Sequence, residues 1–488
     1  MILNNETIAA IATGLTDSGI SIIRVSGKEA ISIVDKIFKI PSGKKLEESE
    51  SHKIHYGFIY ENDDVVDEVM VSIFRAPRSY TAEDVVEINC HGGILITRKV
   101  LNLVLDSGAR IAEPGEFTKR AFLNGRIDLS KAEAVMDMIH AKNEFALKSS
   151  VKQIRGSLSR VIKELREEII YQIAFIESAL DDPEHISLDG YYEDLSKKND
   201  SLIHKIQRLY DNSENGKILK EGINTVIVGK PNAGKSSLLN ILVGEEKAIV
   251  TDIAGTTRDV IEEHIRLSGF GLNMIDTAGI RRTDDTVEKI GVEKAKMAAK
   301  DADLIIYVVD SSTYLDKNDI EIMRIIRDKK VIVLLNKSDL PSVVDEKKLL
   351  KYLHGSVLKL NNDIYDNFDE EIYDINFSEI KDNIKIIKTS TKEHLGIEDI
   401  ENAIKEMFFN GMIQMNDEVM ITNLRQKESL KDALDSLVMV RNSIRDNMPE
   451  DFISIDLMGA YSSLGNIIGE EVGEDLINEI FSKFCMGK

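Results

Sequence analysis

The stretch Gly229-Lys230-Pro231-Asn232-Ala233-Gly234-Lys235-Ser236-Ser237 decides the fold of the middle of the chain. Apolar runs at residues 225–228 and 238–242 flank it, which predicts a buried strand, a glycine-rich loop and a helix that begins near Gly234. The backbone N–H groups of such a loop surround a phosphate chain at the helix N-terminus. Lys235 then reaches the β- and γ-phosphates, and the Ser236 hydroxyl ligates Mg²⁺. The stretch therefore predicts a nucleotide site.

Composition limits what else the chain can be. Its 488 residues are too many for one core and suggest about three domains. With 43% hydrophobic and 30% charged residues it resembles an ordinary soluble globular protein. The net charge of −22 argues against broad, sequence-independent nucleic-acid binding by this chain alone, although it leaves room for a local basic patch.

Cysteine content and the first residues bear on the compartment. The two cysteines, Cys90 and Cys485, lie far apart in sequence and do not form a disulfide framework, which favours a reducing compartment. No apolar run approaches the roughly 20 residues of a membrane span, and the N-terminus lacks the pattern of a signal peptide. We therefore expect a cytoplasmic protein.

Residues 1–125 predict a mixed α+β domain. Strands are expected at residues 20–25, 65–74 and 85–88, with a turn at 91–93 and a helical period from 94 to 105. Three polar residues, Arg24, Glu87 and His91, interrupt these apolar stretches. The simplest interpretation is an edge strand whose polar side chains face water.

Helical patterns bracket the nucleotide loop. One runs from Ile154 to Leu180, and a shorter one begins at Leu202 and stops at residues 212–216; similar patterns return after residue 411. Between them, strand-like runs at 225–228, 272–275, 304–309, 331–335 and 384–387 alternate with helical patterns and predict a mostly parallel sheet covered on both faces. The economical hypothesis is one helical domain interrupted by an inserted α/β domain, and two separate bundles are the alternative.

Further loops follow the predicted strands of this α/β domain. Asp276 would hold the Mg²⁺ shell and the Gly279 amide would meet the γ-phosphate. In the stretch that begins at Asn336, Asp339 can accept both N–H groups on the Watson–Crick edge of guanine, Asn336 would brace the loop, and the Lys337 stem would lie along the base. A backbone N–H in the Thr389-Ser390-Thr391 loop could bind the guanine carbonyl. Four such loops in this order predict a GTPase, with adenine specificity as the disfavoured alternative.

A switch loop is expected at residues 251–259, where Thr257 would complete the Mg²⁺ shell; a solvated turn is the alternative. Ile280 occupies the place where many GTPases carry a water-orienting glutamine, so either GTP hydrolysis is very slow or the water is positioned from elsewhere. Candidates for that role are acidic groups on residues 281–293, notably Glu288, although the sequence alone favours a solvated helix carboxylate at this position. The residues predicted to bind GTP are Asn232, Ala233, Gly234, Lys235, Ser236, Ser237, Thr251, Asp252, Ile253, Ala254, Gly255, Thr256, Thr257, Asp276, Thr277, Ala278, Gly279, Asn336, Lys337, Ser338, Asp339 and Ser390.

These motifs, with several others, give the chain a family resemblance over its whole length. The others are the runs at residues 7–13, 22–27, 79–88, 91–93, 114–118, 120–125 and 129–135 and the terminal Phe484-Cys485-Met486-Gly487-Lys488. The sequence resembles the MnmE (TrmE) family of tRNA modification GTPases, within the TrmE-Era-EngA-like GTPases. Departures include Thr391 in place of the usual alanine, Met486 in place of isoleucine, and an acidic segment centred on residues 361–371 that reads as a solvated loop.

The resemblance implies a homodimer of three-domain chains. Residues 1–125 would form an α+β domain for tetrahydrofolate binding and dimerisation, 126–221 and 411–488 a discontinuous all-α helical domain, and 222–410 an inserted α/β Ras-like P-loop G domain. With the flavoprotein MnmG (GidA), family members place an aminomethyl or carboxymethylaminomethyl group on C5 of the wobble uridine of certain tRNAs. The one-carbon donor would be a tetrahydrofolate derivative, 5,10-methylene- or 5-formyl-tetrahydrofolate.

The same resemblance assigns individual roles. The folate contacts fall on Arg24, Glu87, Arg126 and Lys488, with arginine at 126 where lysine is common. K⁺ would replace an arginine finger and would be held by Asn232, Thr251, Ile253 and Thr256, while Mg²⁺ would be held by Ser236 and Thr257. The catalytic glutamate falls on Glu288 and would orient the attacking water.

Two other functions fit part of the sequence. A ribosome-assembly GTPase would share the G motifs, but neither flank looks like its usual basic RNA-binding appendage. A folate-binding regulatory scaffold would use the G domain only as a switch, which the retention of Lys235 and Glu288 disfavours. A comparison of GTPase rates in K⁺ and Na⁺ separates an active enzyme from a degenerate one.

Overall fold

The computed structural model describes residues 6–186, 190–245, 263–267, 270–275, 302–326, 329–346, 349–350, 383–409, 419–484 and 487. The chain divides into two compact units. The first consists of Met1–His140, Ser150–Arg208 and Leu424–Lys488, and the second of Ala141–Ser149 and Leu209–Asn423. Among the described residues, no helix has the length and apolar character that a membrane crossing requires.

The first unit contains a seven-stranded sheet of strand order β3-β4-β5-β6-β2-β1-β7. Neighbouring strands are antiparallel except β1 and β7, which are parallel. The strands are β1 (Ile8–Ile11), β2 (Ser18–Ser26), β3 (Phe38–Lys39), β4 (Lys53–Glu61), β5 (Asp64–Phe74), β6 (Val85–Gly92) and β7 (Arg110–Ile111). Helices α1 (Ala30–Ile37) and α2 (Ile94–Asp106) pack on one face and bury its Val and Ile side chains.

Alternation along β6 explains the polar residues of this sheet. Ile88 and Cys90 are buried in the core under the helices, whereas Glu87 and Asn89, which alternate with them, are only partly buried. Glu87 lies opposite Arg24 of β2 in the register. Because β2 and β6 each have a strand on both sides, the prediction of an edge strand is wrong for both residues. The polar pair instead occupies the middle of the sheet face that α1 and α2 do not cover.

Beyond its sheet, the described part of the first unit is mainly helical. A short 3₁₀ helix at Leu46–Glu48 connects β3 and β4. Within the described residues of the two units, the remaining helices are α3 (Glu116–Leu123), α4 (Leu129–Ile139), α5 (Glu144–Ile154), α6 (Ser157–Asp181), α7 (Tyr191–Glu221), α8 (Lys235–Glu245), α9 (Lys317–Ile326), α10 (Ile397–Phe409), α11 (Leu424–Arg445), α12 (Glu450–Ile468) and α13 (Glu474–Ser482).

Two glycines correct the predicted helix boundaries. Gly156 has φ 86°, a left-handed conformation, and it separates α5 from α6 where one continuous helical period was expected. The predicted break at residues 212–216 is wrong, because α7 continues through it to Glu221. A Cβ on Gly216 would collide with the carbonyl oxygen of Ile421. Glycine at 216 therefore permits a close approach between two backbone segments and does not end the helix.

The second unit contains a six-stranded sheet of order β13-β12-β11-β8-β10-β9. Its strands are β8 (Ile223–Val228), β9 (Glu263–Leu267), β10 (Phe270–Met274), β11 (Leu304–Asp310), β12 (Val331–Asn336) and β13 (Ile384–Lys388). All neighbouring pairs are parallel except β9 and β10. Successive residues of β11 enter two different apolar clusters, Ile306 in one and Tyr307 in the other, so both faces are covered. The predicted mostly parallel, two-sided sheet is confirmed.

Candidate functional site

The phosphate loop connects β8 to α8 in the second unit. Gly229 has φ 150° and Gly234 has φ 106°, and a Cβ at either position would collide with a neighbour, the Val308 carbonyl oxygen or the Asn336 side chain. Asn232 has φ 62°, a left-handed conformation that asparagine adopts more readily than most residues. The sequence therefore forms this compact loop because glycine or asparagine stands at its positive-φ positions.

Lys235, the first residue of α8, folds back over the loop. Its Nζ donates to the carbonyl oxygens of Gly229 (2.8 Å) and Lys230 (2.6 Å). Burial lowers the pKa of the Lys235 ammonium. Ser236 and Ser237 follow in the first turn of α8, and the N–H groups and dipole at a helix N-terminus favour an anion. The lysine and the helix N-terminus thus meet at the place where the sequence predicts phosphate.

Asn336 connects the phosphate loop to the loop that follows β13. It is fully buried at the end of β12. Its Nδ2 donates to the Ala233 carbonyl oxygen at 2.8 Å, and its Oδ1 accepts from the Thr391 N–H at 3.1 Å. Ser338 N–H donates to the Thr389 carbonyl oxygen at 3.0 Å. One buried amide therefore fixes two loops that come from distant parts of the chain.

Asp339 lies exposed at the same edge of the sheet. The buried Ser390 hydroxyl donates to Asp339 Oδ1 at 2.8 Å, and this hydrogen bond holds the pKa of the carboxyl below its ordinary value. The N–H groups of Ser390 and Thr391 already donate, to the Leu395 carbonyl oxygen (3.2 Å) and to Asn336 Oδ1. A guanine carbonyl would have to share or replace one of these bonds, whereas the ionised carboxylate of Asp339 is available to a base.

Lys337 has a partner that the sequence did not reveal. Its backbone is left-handed (φ 60°) and its Nζ lies 2.5 Å from Asp310 Oδ2, at the end of β11. Ser312 donates to the other oxygen through its N–H (3.0 Å) and hydroxyl (2.6 Å). Although burial alone would raise the pKa of Asp310, these bonds hold it below the ordinary value. Asp310 stands where a parallel strand ends, the edge at which such sheets bind ligands, and that position was the available signal.

Several predicted site residues lie outside the described residues: Thr251, Asp252, Ile253, Ala254, Gly255, Thr256, Thr257, Asp276, Thr277, Ala278, Gly279, Glu288 and Lys488. Of the predicted metal ligands, Ser236 and Asn232 are described. In the described part of the chain no group of three or more His, Cys, Asp or Glu side chains forms a metal site. The Ser236 hydroxyl alone fits a Mg²⁺ ion that is held by one hydroxyl and by substrate phosphates, because Mg²⁺ takes few protein ligands beside phosphates.

A second constellation lies on the uncovered face of the seven-stranded sheet. Arg24 Nε donates to Glu87 Oε1 at 2.9 Å, and its second terminal nitrogen lies 2.9 Å from the same oxygen. The guanidinium carbons of Arg24 and Arg126 each lie 5.1 Å from the centroid of the Tyr80 ring. Arg126 also donates to the Tyr80 carbonyl oxygen at 2.9 Å. The structure thus brings together three predicted folate contacts around Tyr80, an aromatic residue that sequence reasoning quoted without assigning it a role.

The C-terminal tail reaches this constellation. Gly487 has φ 86°, and a Cβ there would collide with the Ile11 carbonyl oxygen at the end of β1. Its own carbonyl oxygen accepts from Arg24 at 3.1 Å. A glycine is therefore required for residue 487 to lie against the sheet beside Arg24.

His91, the third polar residue noted in the sequence, pairs with a buried carboxylate. Asp67 Oδ1 lies 2.6 Å from His91 Nδ1, and Asp67 Oδ2 accepts from the His91 N–H at 2.9 Å. The strand β6 continues through His91 to Gly92 because Asp67 satisfies this N–H, so the predicted turn at 91–93 is wrong. The hydrogen bond to Asp67 raises the pKa of His91, whose side chain is 68% exposed.

Known protein families and relatives match this chain over most of its length. The family model of the MnmE helical domain matches residues 129–485, and that of the GTP-binding protein TrmE N-terminus matches residues 7–126. The chain is 56% identical over 487 residues to the tRNA modification GTPase MnmE of Lachnoclostridium phytofermentans, with 100% of each chain covered. It is 46% identical to the protein of that name from Clostridioides difficile and 44% identical to that from Alkaliphilus metalliredigens, with 99% of each chain covered in both comparisons.

Among solved structures, the G domain of the T. maritima FeoB iron transporter matches 38% of this chain and 98% of that chain at 23% identity, with a TM-score of 0.25. That score is too low to infer a structural likeness. The sequence relatives and both family models agree over the full length, and the chain belongs to the MnmE family of tRNA modification GTPases.

Proposed function

We propose that this chain is a K⁺-dependent GTPase that, with the flavoprotein MnmG, adds an aminomethyl or carboxymethylaminomethyl group to C5 of the wobble uridine of certain tRNAs. A tetrahydrofolate derivative, 5,10-methylene- or 5-formyl-tetrahydrofolate, would donate the one-carbon unit. The observation that carries the proposal is the presence of two unlike constellations in one chain. One is the phosphate loop joined by Asn336 to the Thr391 loop, and the other is the Arg24–Glu87 pair with Arg126.

GTP would be held from its phosphates to its base at one edge of the second sheet. Lys235 and the N-terminus of α8 would bind the phosphates, and the ionised Asp339 would accept the N–H groups of guanine. Ser236 and Thr257 would hold Mg²⁺, which neutralises the charge that develops on the phosphates. Asp276 to Gly279 and residues 251–257 complete the proposed site from outside the described residues.

K⁺ would act in place of an arginine finger. Asn232, Thr251, Ile253 and Thr256 would hold it, and Glu288 would orient the attacking water, since Ile280 has no group for this purpose. The left-handed backbone of Asn232 supports a special role for this residue, because the loop uses an asparagine where glycine would also fit.

The folate derivative would bind on the uncovered face of the first sheet. The Glu87 carboxylate would accept from the pterin N–H groups while Arg24 holds it in place. Arg126 is exposed, and within the described ranges no carboxylate pairs with it. It would therefore be available for a ligand carboxylate, together with Lys488.

We further propose the domain assignment expected from the sequence: residues 1–125, a helical domain of 126–221 and 411–488, and an inserted G domain of 222–410. Glu133 of α4 and Arg425 of α11 form an ion pair of 2.8 Å, which supports a helical domain made from two segments that lie far apart in the sequence. Gln426 adds a hydrogen bond to the same carboxylate at 2.7 Å. Both contacts lie within the first unit.

Two surfaces of the first unit support the proposed partners. The uncovered sheet face exposes Ile54 (66%) and Met70 (51%), which supports a homodimer through this domain. Arg155, just before α6, and Arg160 and Lys163, in its first two turns, are exposed, and none of them has an ion-pair partner in the part of the chain that the structure describes. These cations support a contact with the tRNA backbone in the complex with MnmG, despite the net charge of −22. We propose a cytoplasmic location, where a protein that acts on tRNA would meet its substrate.

The proposal is tested first by GTP hydrolysis in matched K⁺ and Na⁺ buffers. We expect hydrolysis to be fast in K⁺ and slow in Na⁺, and Glu288→Ala to be slow in both while still binding GTP. Equal rates in the two salts would contradict the K⁺ assignment. Binding of 5-formyl-tetrahydrofolate, measured by calorimetry on the same preparation, tests the second site independently, and Glu87→Gln should weaken it without changing GTP hydrolysis.

A further inference from the structure

Lys230, the second residue of the phosphate loop, is held by two carboxylates of the segment that follows β11. Its Nζ lies 2.7 Å from Asp319 Oδ2 and 3.1 Å from Asp316 Oδ2. The Lys230 side chain is 17% exposed. Burial alone would lower the pKa of this ammonium, but the hydrogen bonds and charges of Asp319 and Asp316 raise it above the ordinary value. The group is therefore a stable cation bound to a fixed anion.

Asp319 is itself fixed before it meets Lys230. Its side chain is 1% exposed, and Oδ1 accepts from the hydroxyl of Tyr307, a fully buried residue of β11, at 2.8 Å. Oδ2 accepts from the Asp316 N–H at 3.0 Å, while Asp316 Oδ1 accepts from the Asp319 N–H at 3.2 Å. This reciprocal pair caps the N-terminus of α9. The carboxylate is thus attached to both the central sheet and a helix.

The main chain of Lys230 is bound on its other side. Its carbonyl oxygen accepts from the Lys235 ammonium at 2.6 Å, the group expected to bind phosphate. We propose that Lys230 and Asp319 are positioning residues for the nucleotide: their ion pair holds the first half of the phosphate loop in its phosphate-binding conformation. This inference rests on the proposed function only for the assignment of residues 232–237 to the phosphates.

Loss of the pair would leave the buried Asp319 carboxylate unpaired, which is unfavourable, so Asp319 and the loop would separate or rearrange. A loop that spends about a tenth of its time in the competent conformation binds its ligand about tenfold more weakly. GDP and GTP would lose affinity equally, because the loop surrounds the phosphates that both share. The KM for GTP would rise by the same factor with little change in kcat, since the lost interaction is made equally in ground and transition states.

The test uses the full-length protein and six variants: Lys230→Met, Lys230→Arg, Asp319→Asn, the Lys230→Met/Asp319→Asn double variant, Lys235→Ala, and Lys385→Met. Lys385 forms an ion pair of 3.0 Å with Glu406 in the same unit and serves as the matched control. The measurements are Kd values for fluorescent GDP and a non-hydrolysable GTP analogue, kcat and KM for GTP, and melting temperature.

We expect Lys230→Met and Asp319→Asn each to raise both Kd values and KM about tenfold, and Lys230→Arg to stay within about twofold of the wild type because it restores the charge. The double variant should resemble either single variant, since one interaction is removed in each case. Lower melting temperatures with Kd values within twofold of wild type would show that the pair is only structural. Lys235→Ala separates the two proposals: if it leaves nucleotide affinity intact, the phosphate-loop assignment itself is wrong.

Discussion

Replacing Asn336 with alanine removes a side chain that joins the phosphate loop to the Thr391 loop. The deletion removes a fully buried side chain and leaves the Ala233 carbonyl and the Thr391 N–H, bonded to it at 2.8 and 3.1 Å, without this partner. Each buried polar group left unpaired costs about 1–3 kcal/mol, so the two together cost about 2 kcal/mol or more. Since 1.4 kcal/mol is a factor of ten, the ordered arrangement of the two loops becomes at least about 30-fold less favourable.

The assay for this variant combines GDP affinity with hydrogen exchange. We expect Asn336→Ala to bind GDP at least about 30-fold more weakly, and residues 233–237 and 389–391 to exchange faster in the nucleotide-free protein. Asn318→Ala is the control, because it deletes the same group from an exposed position of the same unit. Unchanged exchange in both segments would refute the coupling of the loops, even if the affinity for GDP fell.

Three further predictions concern other contacts. In an NMR titration, His91 should have a pKa above its ordinary value, and Asp67→Asn should lower that pKa. The His91–Asp67 pair stabilises the fold fully below about pH 6.5, and this stabilisation is lost as the pH rises through the folded-state pKa of His91. A wild-type pKa at or below the ordinary value would contradict this prediction. Gly216→Ala should lower the melting temperature, because the collision of the new methyl group with the Ile421 carbonyl outweighs a helix-propensity gain of about 1 kcal/mol. A higher melting temperature would show that the helix tolerates the methyl group. Tyr80→Leu should weaken binding of 5-formyl-tetrahydrofolate about tenfold because two cation–π contacts are lost. Tyr80→Phe keeps the ring and should bind within about twofold of the wild type. An equal loss of affinity in both variants would show that the hydroxyl, and not the ring, is responsible.

The sequence predicted the second sheet well because its strands are buried on both faces. Continuous apolar runs such as Leu304–Asp310 and Val331–Asn336 differ clearly from the amphipathic helices between them. The strand β9 was missed, since Glu263–Leu267 is short and carries polar residues. Motif spacing then located the loops at the strand ends, because the parallel arrangement brings those ends to one edge.

The first sheet and the ion pairs were harder to predict. Arg24 and Glu87 resemble edge-strand residues in the sequence because the two members of this pair lie 63 residues apart, and no local pattern reveals such a pairing. The same holds for Asp310 with Lys337 and for Asp319 with Lys230, which the chain brings together only after folding. The sequence pattern suggests a helix break at Gly216 because glycine occurs both at helix ends and where two backbone segments approach closely. Only the neighbouring backbone distinguishes the two cases.

The proposed role of this GTPase in the modification of wobble uridines is tested most directly by mass spectrometry of nucleosides in tRNA from cells that carry the gene, lack it, or express Lys235→Ala in its place. We predict loss of the aminomethyl or carboxymethylaminomethyl group from C5 of uridine in cells without the gene, recovery with the wild type, and no recovery with Lys235→Ala. Unchanged nucleosides after deletion, in cells with no second copy of the gene, would contradict it.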